Sequence, residues 1–247
     1  MIYVFAADLS GLYEQEVYDF YYQKLPPWRK AKADRLKKED GKVQCVGAWA
    51  LWQKAQERLG LSLEESVDSE EAFLALPYVN LSHSGSYALC AVWSEPVNDT
   101  LAPRSCVTDT LAPSPCVSPC VMVGCDIEKV GPLRLNVAKR NFCPDEYEHI
   151  LSAGSEEEKT RLFYRYWVLK ESFIKATREG IGRAMRSFRT IWKEGEAFMV
   201  EEIKASENKE LNIDQEFYYK EYRLDGDYML AVCASSPEFS SELELGL

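Results

Sequence analysis

Apolar side chains recur along the chain at two spacings, and each spacing predicts a different kind of element. Over Val43–Leu59 they lie three or four residues apart, which predicts a helix closed by Gly60. A longer helix is predicted over Ser155–Thr177, where Ser155 and Glu158 form a capping box and Gly180 and Gly182 follow the end. Shorter helices are predicted at Leu12–Lys24, Leu135–Phe142 and Asp145–Leu151.

Short, mostly apolar runs predict strands before, between and after these helices. They lie at Ile2–Leu9, Val79–Ser84, Tyr87–Trp93, Val121–Val130, Ser187–Lys193, Glu196–Ala205, Gln215–Leu224 and Tyr228–Ser235. The mixture of helices and strands predicts the α+β fold class.

A short internal echo organises these elements. Gly85-Ser-Tyr87-Ala-Leu89 and Gly226-Asp-Tyr228-Met-Leu230 share the pattern Gly-x-Tyr-x-Leu, and each follows a long predicted helix. The echo predicts two similar α/β halves related by a pseudo-two-fold axis, with a functional cleft where they meet. Chance, or a hairpin habit common to both segments, is the alternative explanation of so short a match.

Residues 98–119 differ in composition from the rest of the chain. Asp99-Thr-Leu-Ala-Pro103 returns ten residues later as Asp109-Thr-Leu-Ala-Pro113, and the segment is rich in Pro, Ser and Thr. Two copies are too few for a solenoid, so we interpret the segment as an inserted loop. It divides the chain into an N-terminal half (1–97), the insert (98–119) and a C-terminal half (120–247).

Composition and charge narrow the class of protein. The formal net charge of −11 argues against a general binder of duplex DNA, which needs a broad basic face. No apolar run approaches the roughly 20 residues of a membrane span, and the first residues lack the basic start of a signal peptide. The eight cysteines include no Cys-x-x-Cys pair, which favours reduced thiols. We therefore expect a cytoplasmic protein with neither a membrane nor a nucleic-acid partner.

His83 is the first candidate functional residue. It lies between Ser82 and Ser84 at the end of a predicted strand, just before Gly85. Imidazole N–H, hydroxyl and turn N–H groups can converge on a phosphate there. A histidine satisfied by local turn hydrogen bonds is the alternative.

Asp126 and Glu128 form the second candidate. Because residues two apart on a strand point to the same face, the two carboxylates should project together and repel each other unless a cation neutralises them. Carboxylates beside a phosphate suit Mg²⁺. The alternative is a solvated strand end.

Glu171 and Lys175 form the third candidate, on the longest predicted helix. They are four residues apart and therefore share a face, which the apolar Trp167 and Ile174 flank. The carboxylate could complete a metal site and the ammonium could bind a phosphate. The alternative is a surface ion pair of a few tenths of a kcal/mol.

Three motifs, in this order, resemble the signature of the larger, Sfp-type 4′-phosphopantetheinyl transferases. They are Asn80-Leu-Ser-His-Ser-Gly85, Val123-Gly-Cys-Asp-Ile-Glu128 and Trp167-Val-Leu-Lys-Glu-Ser-Phe-Ile-Lys175. The resemblance runs nearly end to end and implies a pseudo-dimeric, monomeric α+β protein with coenzyme A bound between its halves. It implies transfer of the phosphopantetheine arm to a serine of an acyl- or peptidyl-carrier protein, with release of 3′,5′-ADP.

The resemblance also implies roles for individual residues. Asp126, Glu128 and Glu171 would hold Mg²⁺, and Glu171 would also take the proton of the serine hydroxyl. Lys175 and His83 would contact phosphates, so that the expected catalytic set is Glu171, Lys175, Asp126 and His83.

Further coenzyme A contacts are expected in the N-terminal half. Ser82 would lie beside the phosphates, and Arg29 and Lys32 would bind the 3′-phosphate, since they lie three apart on one helix face in the basic stretch Trp28–Lys38. Relatives usually carry Gly-Lys-Pro shortly before the histidine motif, whereas this chain has Glu70-Glu-Ala-Phe-Leu-Ala-Leu-Pro77. What replaces that nucleotide contact is open.

Two other functions fit the same residue types. One is a non-catalytic module that binds coenzyme A or a carrier protein, and the other is a Mg²⁺-dependent phosphodiesterase that removes the arm from a holo carrier protein. The complete set of three acids argues against simple binding.

Overall fold

Two β-sheets, each covered by one long helix, make up the fold. The structure is a computed structural model that describes residues 1–61, 67–94, 121–180, 183–203, 216–224 and 226–247. The strands are β1 Ile2–Asp8, β2 Val79–Ser84, β3 Tyr87–Trp93, β4 Val123–Lys129, β5 Phe188–Lys193, β6 Glu196–Glu202, β7 Tyr218–Glu221, β8 Tyr228–Ala234 and β9 Phe239–Leu245. The helices are α1 Gln15–Gln23, α2 Pro27–Arg35, α3 Glu39–Leu59, α4 Glu70–Ala75, α5 Leu135–Asn141, α6 Pro144–Ser152 and α7 Glu156–Thr177. The α+β prediction is confirmed.

The first sheet has the strand order β2-β3-β1-β9 and the second β4-β8-β7-β6-β5. Helix α3 packs on β1, β2 and β3, and α7 packs on β4 and β8. Apolar residues of β1, β3, β4 and β8 form one buried cluster shared by the two sheets.

The sequence echo falls on equivalent strand starts. Tyr87 begins β3, which is antiparallel to β1, and Tyr228 begins β8, which is antiparallel to β4. Leu9 N donates to Ser86 O at 2.7 Å, and Val130 N donates to Asp227 O at the same distance. The two halves therefore repeat one strand pairing, and the Tyr87 and Tyr228 rings meet edge to face with centroids 4.9 Å apart.

Gly124 brings α7 close to β4. A Cβ atom at this position would collide with the main-chain oxygen of Ser172 and the main-chain nitrogen of Ala176. Only glycine permits this approach, because every other residue carries a Cβ. As a result the last turns of α7 lie directly against the strand that carries Asp126.

Side chains of β2 join the two sheets at their edges. Asn80 Oδ1 accepts a hydrogen bond from Cys125 N at 3.0 Å, Ser82 Oγ one from Ile127 N at 3.4 Å, and Ser84 Oγ one from Lys129 N at 3.1 Å. The constant step of two residues on each strand shows that β2 and β4 run parallel. Side-chain oxygens thus take the place of main-chain carbonyls between these strands.

Several element predictions were wrong in detail. The helix predicted from Leu12 begins at Gln15, after a 3₁₀ turn over Ser10–Tyr13. The capping box is incomplete, because Ser155 Oγ accepts from Glu158 N but Glu158 accepts from Gly154 N. Helix α7 ends at Thr177, as predicted, but it is Arg178, with φ of 59°, and not a glycine that adopts the left-handed conformation after its end.

Two elements were missed. Helix α4 lies in the segment that departs from the family pattern, and β9 pairs in parallel with β1, so that a strand from the predicted C-terminal half completes the first sheet. The predicted insert, 98–119, lies outside the described residues, as do the ends of the strands predicted at Glu196–Ala205 and Gln215–Leu224. The division at the insert stays a prediction.

Candidate active site

The junction of β2, β4 and α7 brings Ser82, Asp126 and Lys175 into hydrogen-bonding contact. Lys175 Nζ lies 2.6 Å from Asp126 Oδ1 and 3.0 Å from Ser82 Oγ, and Ser82 Oγ lies 2.9 Å from Asp126 Oδ1. Burial lowers the pKa of Lys175, but the charge and hydrogen bond of Asp126, together with the charges of Cys125 and Glu171, outweigh it, and the net shift is upward. Residues that are 93 positions apart in the chain therefore form one charged cluster.

Asp126 is itself buried, with 4% of its surface exposed. Its second carboxylate oxygen, Oδ2, has no hydrogen-bond partner among the described residues. A buried carboxylate oxygen without a partner is costly, and a cation would satisfy it.

Glu128 lies two residues further along β4 and is half-buried. Ser84 Oγ donates to its Oε2 at 2.9 Å, which repeats the bond from Ser82 to Asp126 one strand step away. Burial and then the charge of Asp126 raise the pKa of Glu128, and the hydrogen bond from Ser84 offsets part of that rise. The sequence prediction that the two acids share one face is consistent with this repulsion.

Glu171 faces the same cluster from α7, one turn before Lys175. Burial raises its pKa first, and the charges of Asp126 and Glu128 add to the rise, while Lys175 opposes it. The three carboxylates that were predicted to hold a metal ion are therefore close enough to repel one another.

His83 is exposed at the end of β2, next to this cluster. Loss of hydration around the imidazole, followed by the charges of Lys175, Arg29 and Lys32, lowers its pKa to about 4. His83 is therefore neutral at pH 7, and it lies within the field of three cations that sequence reasoning also selected.

Arg29 and Lys32 both lie on α2, as their spacing predicted. Arg29 is buried, and its Nη2 donates to Cys45 O of α3 at 3.0 Å. Lys32 Nζ forms an ion pair with Glu70 of α4, so the acidic segment that the sequence flagged meets one of the predicted phosphate ligands.

A pocket of about 590 Å³ opens beside Glu171 and Lys175. Its lining includes the apolar side chains of Leu74, Trp167 and Ile174. Sequence reasoning noted Trp167 and Ile174 as flanking residues but missed Leu74, because α4 was not predicted.

Comparison with known proteins supplies the family. Residues 122–233 match the model of the 4′-phosphopantetheinyl transferase superfamily. The 4′-phosphopantetheinyl transferase Sfp of Bacillus subtilis is 31% identical over 169 residues, which are 68% of this chain and 59% of that protein. A second 4′-phosphopantetheinyl transferase of Bacillus subtilis is 32% identical over 173 residues, 69% of this chain and 62% of its own length.

The chain belongs to the 4′-phosphopantetheinyl transferase superfamily. The family resemblance stated from three motifs is thereby confirmed. The chain spans about three fifths of the length of these curated relatives.

The matched region contains only part of the predicted site of this superfamily member. Asp126, Glu128, Glu171 and Lys175 lie within residues 122–233, whereas Ser82, His83, Arg29 and Lys32 precede them. The structure brings Ser82 into contact with Asp126 and Lys175, and the charges of Lys175, Arg29 and Lys32 act on His83. The individual roles stay predictions.

The donors of this site are of the chemical type that a hard divalent cation takes, although their arrangement in this structure does not converge on one point. Three carboxylates, those of Asp126, Glu128 and Glu171, lie near one another, and Asp126 Oδ2 is buried without a hydrogen-bond partner among the described residues. Within the part of the chain that the structure describes, no three acidic, histidine or cysteine side chains converge closely enough to hold a metal ion. Lys175 Nζ, on Asp126 Oδ1, supplies the neutralising charge in this arrangement.

Proposed function

We propose that this protein transfers the 4′-phosphopantetheine arm of coenzyme A to a serine hydroxyl of an apo acyl- or peptidyl-carrier protein. The main observation in support is the charged cluster of Ser82, Asp126 and Lys175 at the junction of the two sheets. Glu128 and Glu171 lie beside it. Cations and acids that meet at one junction suit a pyrophosphate substrate and a metal ion together. Family membership points to the same chemistry.

The transfer is a substitution at phosphorus. The serine Oγ forms a bond to the phosphorus that bears pantetheine, and the bond from that phosphorus to the bridging oxygen breaks. The bridging oxygen leaves with the electron pair as part of 3′,5′-ADP, and the serine proton passes to a base.

Glu171 is the proposed base. Burial and the neighbouring acids raise its pKa, and a base works best when its pKa approaches the pH at which it operates. It lies on α7 beside the pocket, where a serine from another protein can approach.

Lys175, His83, Ser82, Arg29 and Lys32 are the proposed phosphate ligands. The ammonium and guanidinium groups offset the phosphate charges, and the neutral imidazole and the hydroxyl donate hydrogen bonds. Raised by its acidic neighbours, the pKa of Lys175 keeps it charged throughout the physiological pH range.

Mg²⁺ is the proposed cofactor, and Asp126, Glu128 and Glu171 would hold it. When bound it would neutralise charge on the pyrophosphate. A buried carboxylate requires a counter-charge, and Lys175 provides it for Asp126 in this structure.

We also propose a cytoplasmic monomer whose partners are coenzyme A and a carrier protein. In the described part of the chain no helix is long and apolar enough to cross a membrane. Cys45, Cys90, Cys125, Cys143 and Cys233 are buried free thiols, which is what a reducing compartment favours.

Mass spectrometry of a purified carrier protein tests the activity. An apo carrier protein incubated with the chain, coenzyme A and Mg²⁺ should gain one phosphopantetheine group, and its Ser→Ala variant should gain none. A holo carrier protein in a parallel reaction should be unchanged. Loss of the arm from the holo form would indicate the phosphodiesterase, and no change in either form would indicate a binding module.

A further inference from the structure

The carboxylate of Glu70 forms an ion pair with Lys32, one of the proposed phosphate ligands. Glu70 Oε1 forms an ion pair with Lys32 Nζ, and both side chains are 34% exposed. Burial lowers the pKa of the neighbouring Arg29, and Cys45 and then the charge of Glu70 oppose that decrease. Glu70 is therefore a carboxylate whose charge acts on both Arg29 and Lys32 in this structure.

The position of Glu70 is fixed by the packing of α4. Phe73, one helical turn later, is buried among tryptophan rings of α2 and α3, with centroids 5.1 Å from Trp49 and 6.2 Å from Trp28 and Trp52. Ser69 Oγ caps the helix by accepting from Ala72 N at 3.1 Å. Because the short helix is anchored at both points, its first residue, Glu70, is positioned next to Lys32.

We propose that Glu70 competes with the 3′-phosphate of coenzyme A for Lys32 and so weakens the preference of the protein for coenzyme A over dephospho-coenzyme A. This inference rests on the proposed function, in which Lys32 is a ligand of that phosphate. A phosphate that binds Lys32 must displace the carboxylate or share the cation with it, and the two anions repel each other. A substrate without the 3′-phosphate meets no such competition.

Steady-state kinetics with both substrates tests the proposal. Glu70→Gln should lower KM for coenzyme A about two- to fivefold, the range of a partly exposed ion pair, and leave KM for dephospho-coenzyme A unchanged. Glu71→Gln is the matched control, because Glu71 is exposed and shares the acidic first turn of α4. It removes the same charge from the helix terminus without touching Lys32.

A second substitution identifies the route. Combined with Lys32→Met, Glu70→Gln should have no effect on KM for coenzyme A, because the cation that the two anions share is gone. An equal gain with and without Lys32 would overturn the proposal, since it would mean that Glu70 repels the whole nucleotide through space.

Calorimetry separates this inference from the activity. Glu70→Gln should bind 3′,5′-ADP two- to fivefold more tightly than the parent and bind 5′-AMP equally well, whether or not arm transfer occurs. If Glu70→Gln binds 3′,5′-ADP more tightly than the parent but neither protein transfers the arm, the proposed function would be rejected and the proposed role of Glu70 would still hold. Equal gains for both nucleotides, equal gains in Glu71→Gln, or no 3′,5′-ADP binding by parent and variant would overturn the role of Glu70.

Discussion

Lys175 of α7 and Asp126 of β4 form an ion pair of 2.6 Å in which the side chain of Asp126 is 6% exposed and that of Lys175 is 29% exposed. The pair joins the helix that carries the proposed base to the strand that carries two proposed metal ligands. We therefore consider first the substitution of each member of the pair alone.

Asp126→Asn should abolish arm transfer and leave the fold intact. The amide keeps the shape of the side chain, but it loses the charge that a metal ion and Lys175 need. We expect the free energy of unfolding to fall by only about 1–2 kcal/mol, because the side chain of Lys175 is partly exposed and its charge keeps some contact with water. Transfer assays and chemical denaturation check both parts, with Asp8→Asn, at an exposed strand end, as the control. Normal turnover in Asp126→Asn at saturating Mg²⁺ would reject the metal assignment.

Lys175→Gln should make the protein more sensitive to Mg²⁺. Without the ammonium, Asp126, Glu128 and Glu171 repel one another, so the melting temperature without divalent ions should fall. Added Mg²⁺ should then raise the melting temperature of the variant more than that of the parent, because the ion no longer competes with Lys175. Thermal unfolding with and without Mg²⁺ measures this difference. Equal Mg²⁺ shifts in both proteins would show that these acids do not bind the ion.

Glu171→Gln should nearly abolish turnover while coenzyme A still binds. The amide can neither accept the serine proton nor hold a metal well. The loss should therefore appear in kcat, and the dissociation constant of 3′,5′-ADP should stay within a few-fold of that of the parent. If Glu171→Gln is mild and Lys175→Gln abolishes turnover, the assignment of the base is wrong.

His83 should titrate near pH 4 in the free protein and higher once a phosphate binds. Its folded-state pKa lies below the ordinary value of 6.5, so the unfolded chain binds the proton first as pH falls. This contribution to stability is complete above pH 6.5 and is lost between pH 6.5 and 4; exposure of the residue keeps it smaller than the full shift implies. Proton chemical shifts of the imidazole, followed with and without 3′,5′-ADP, measure both pKa values. His83→Gln should weaken the pH dependence of unfolding in this window.

Gly124→Ala should destabilise the protein by about 3 kcal/mol or more, because the added methyl group collides with the main chain of α7. Gly11→Ala is the control, since nothing lies within 4 Å of a Cβ atom there. Denaturant midpoints of the two variants compare the positions. An unchanged midpoint for Gly124→Ala would show that α7 can move away from β4 at little cost.

The sequence predicted those parts of the site whose residues are set by local spacing. Asp126 and Glu128 share a face because strand residues alternate, and Glu171 and Lys175 share one because helix residues four apart do. The echo around Tyr87 and Tyr228 correctly indicated paired halves. Local patterns of this kind survive folding unchanged.

Features that depend on distant partners could not be predicted. Strand β9 alternates polar and apolar residues weakly, and it forms a strand because β1 offers an unpaired edge. Helix α4 has only six residues and is held by Phe73 against tryptophans that lie elsewhere in the chain. The Lys32 and Glu70 ion pair depends on that docking, so the residue type alone did not indicate it.

The parallel pairing of β9 with β1 determines when the first sheet can be completed during synthesis. Strand β1 is synthesised before β9, and the edge of β1 that faces β9 lacks that partner until residues 239–245 have been made. An apolar strand with an open edge invites association with other chains. The nascent chain therefore carries this open edge of β1 for as long as the residues between β1 and β9 are being made, and β9 closes it.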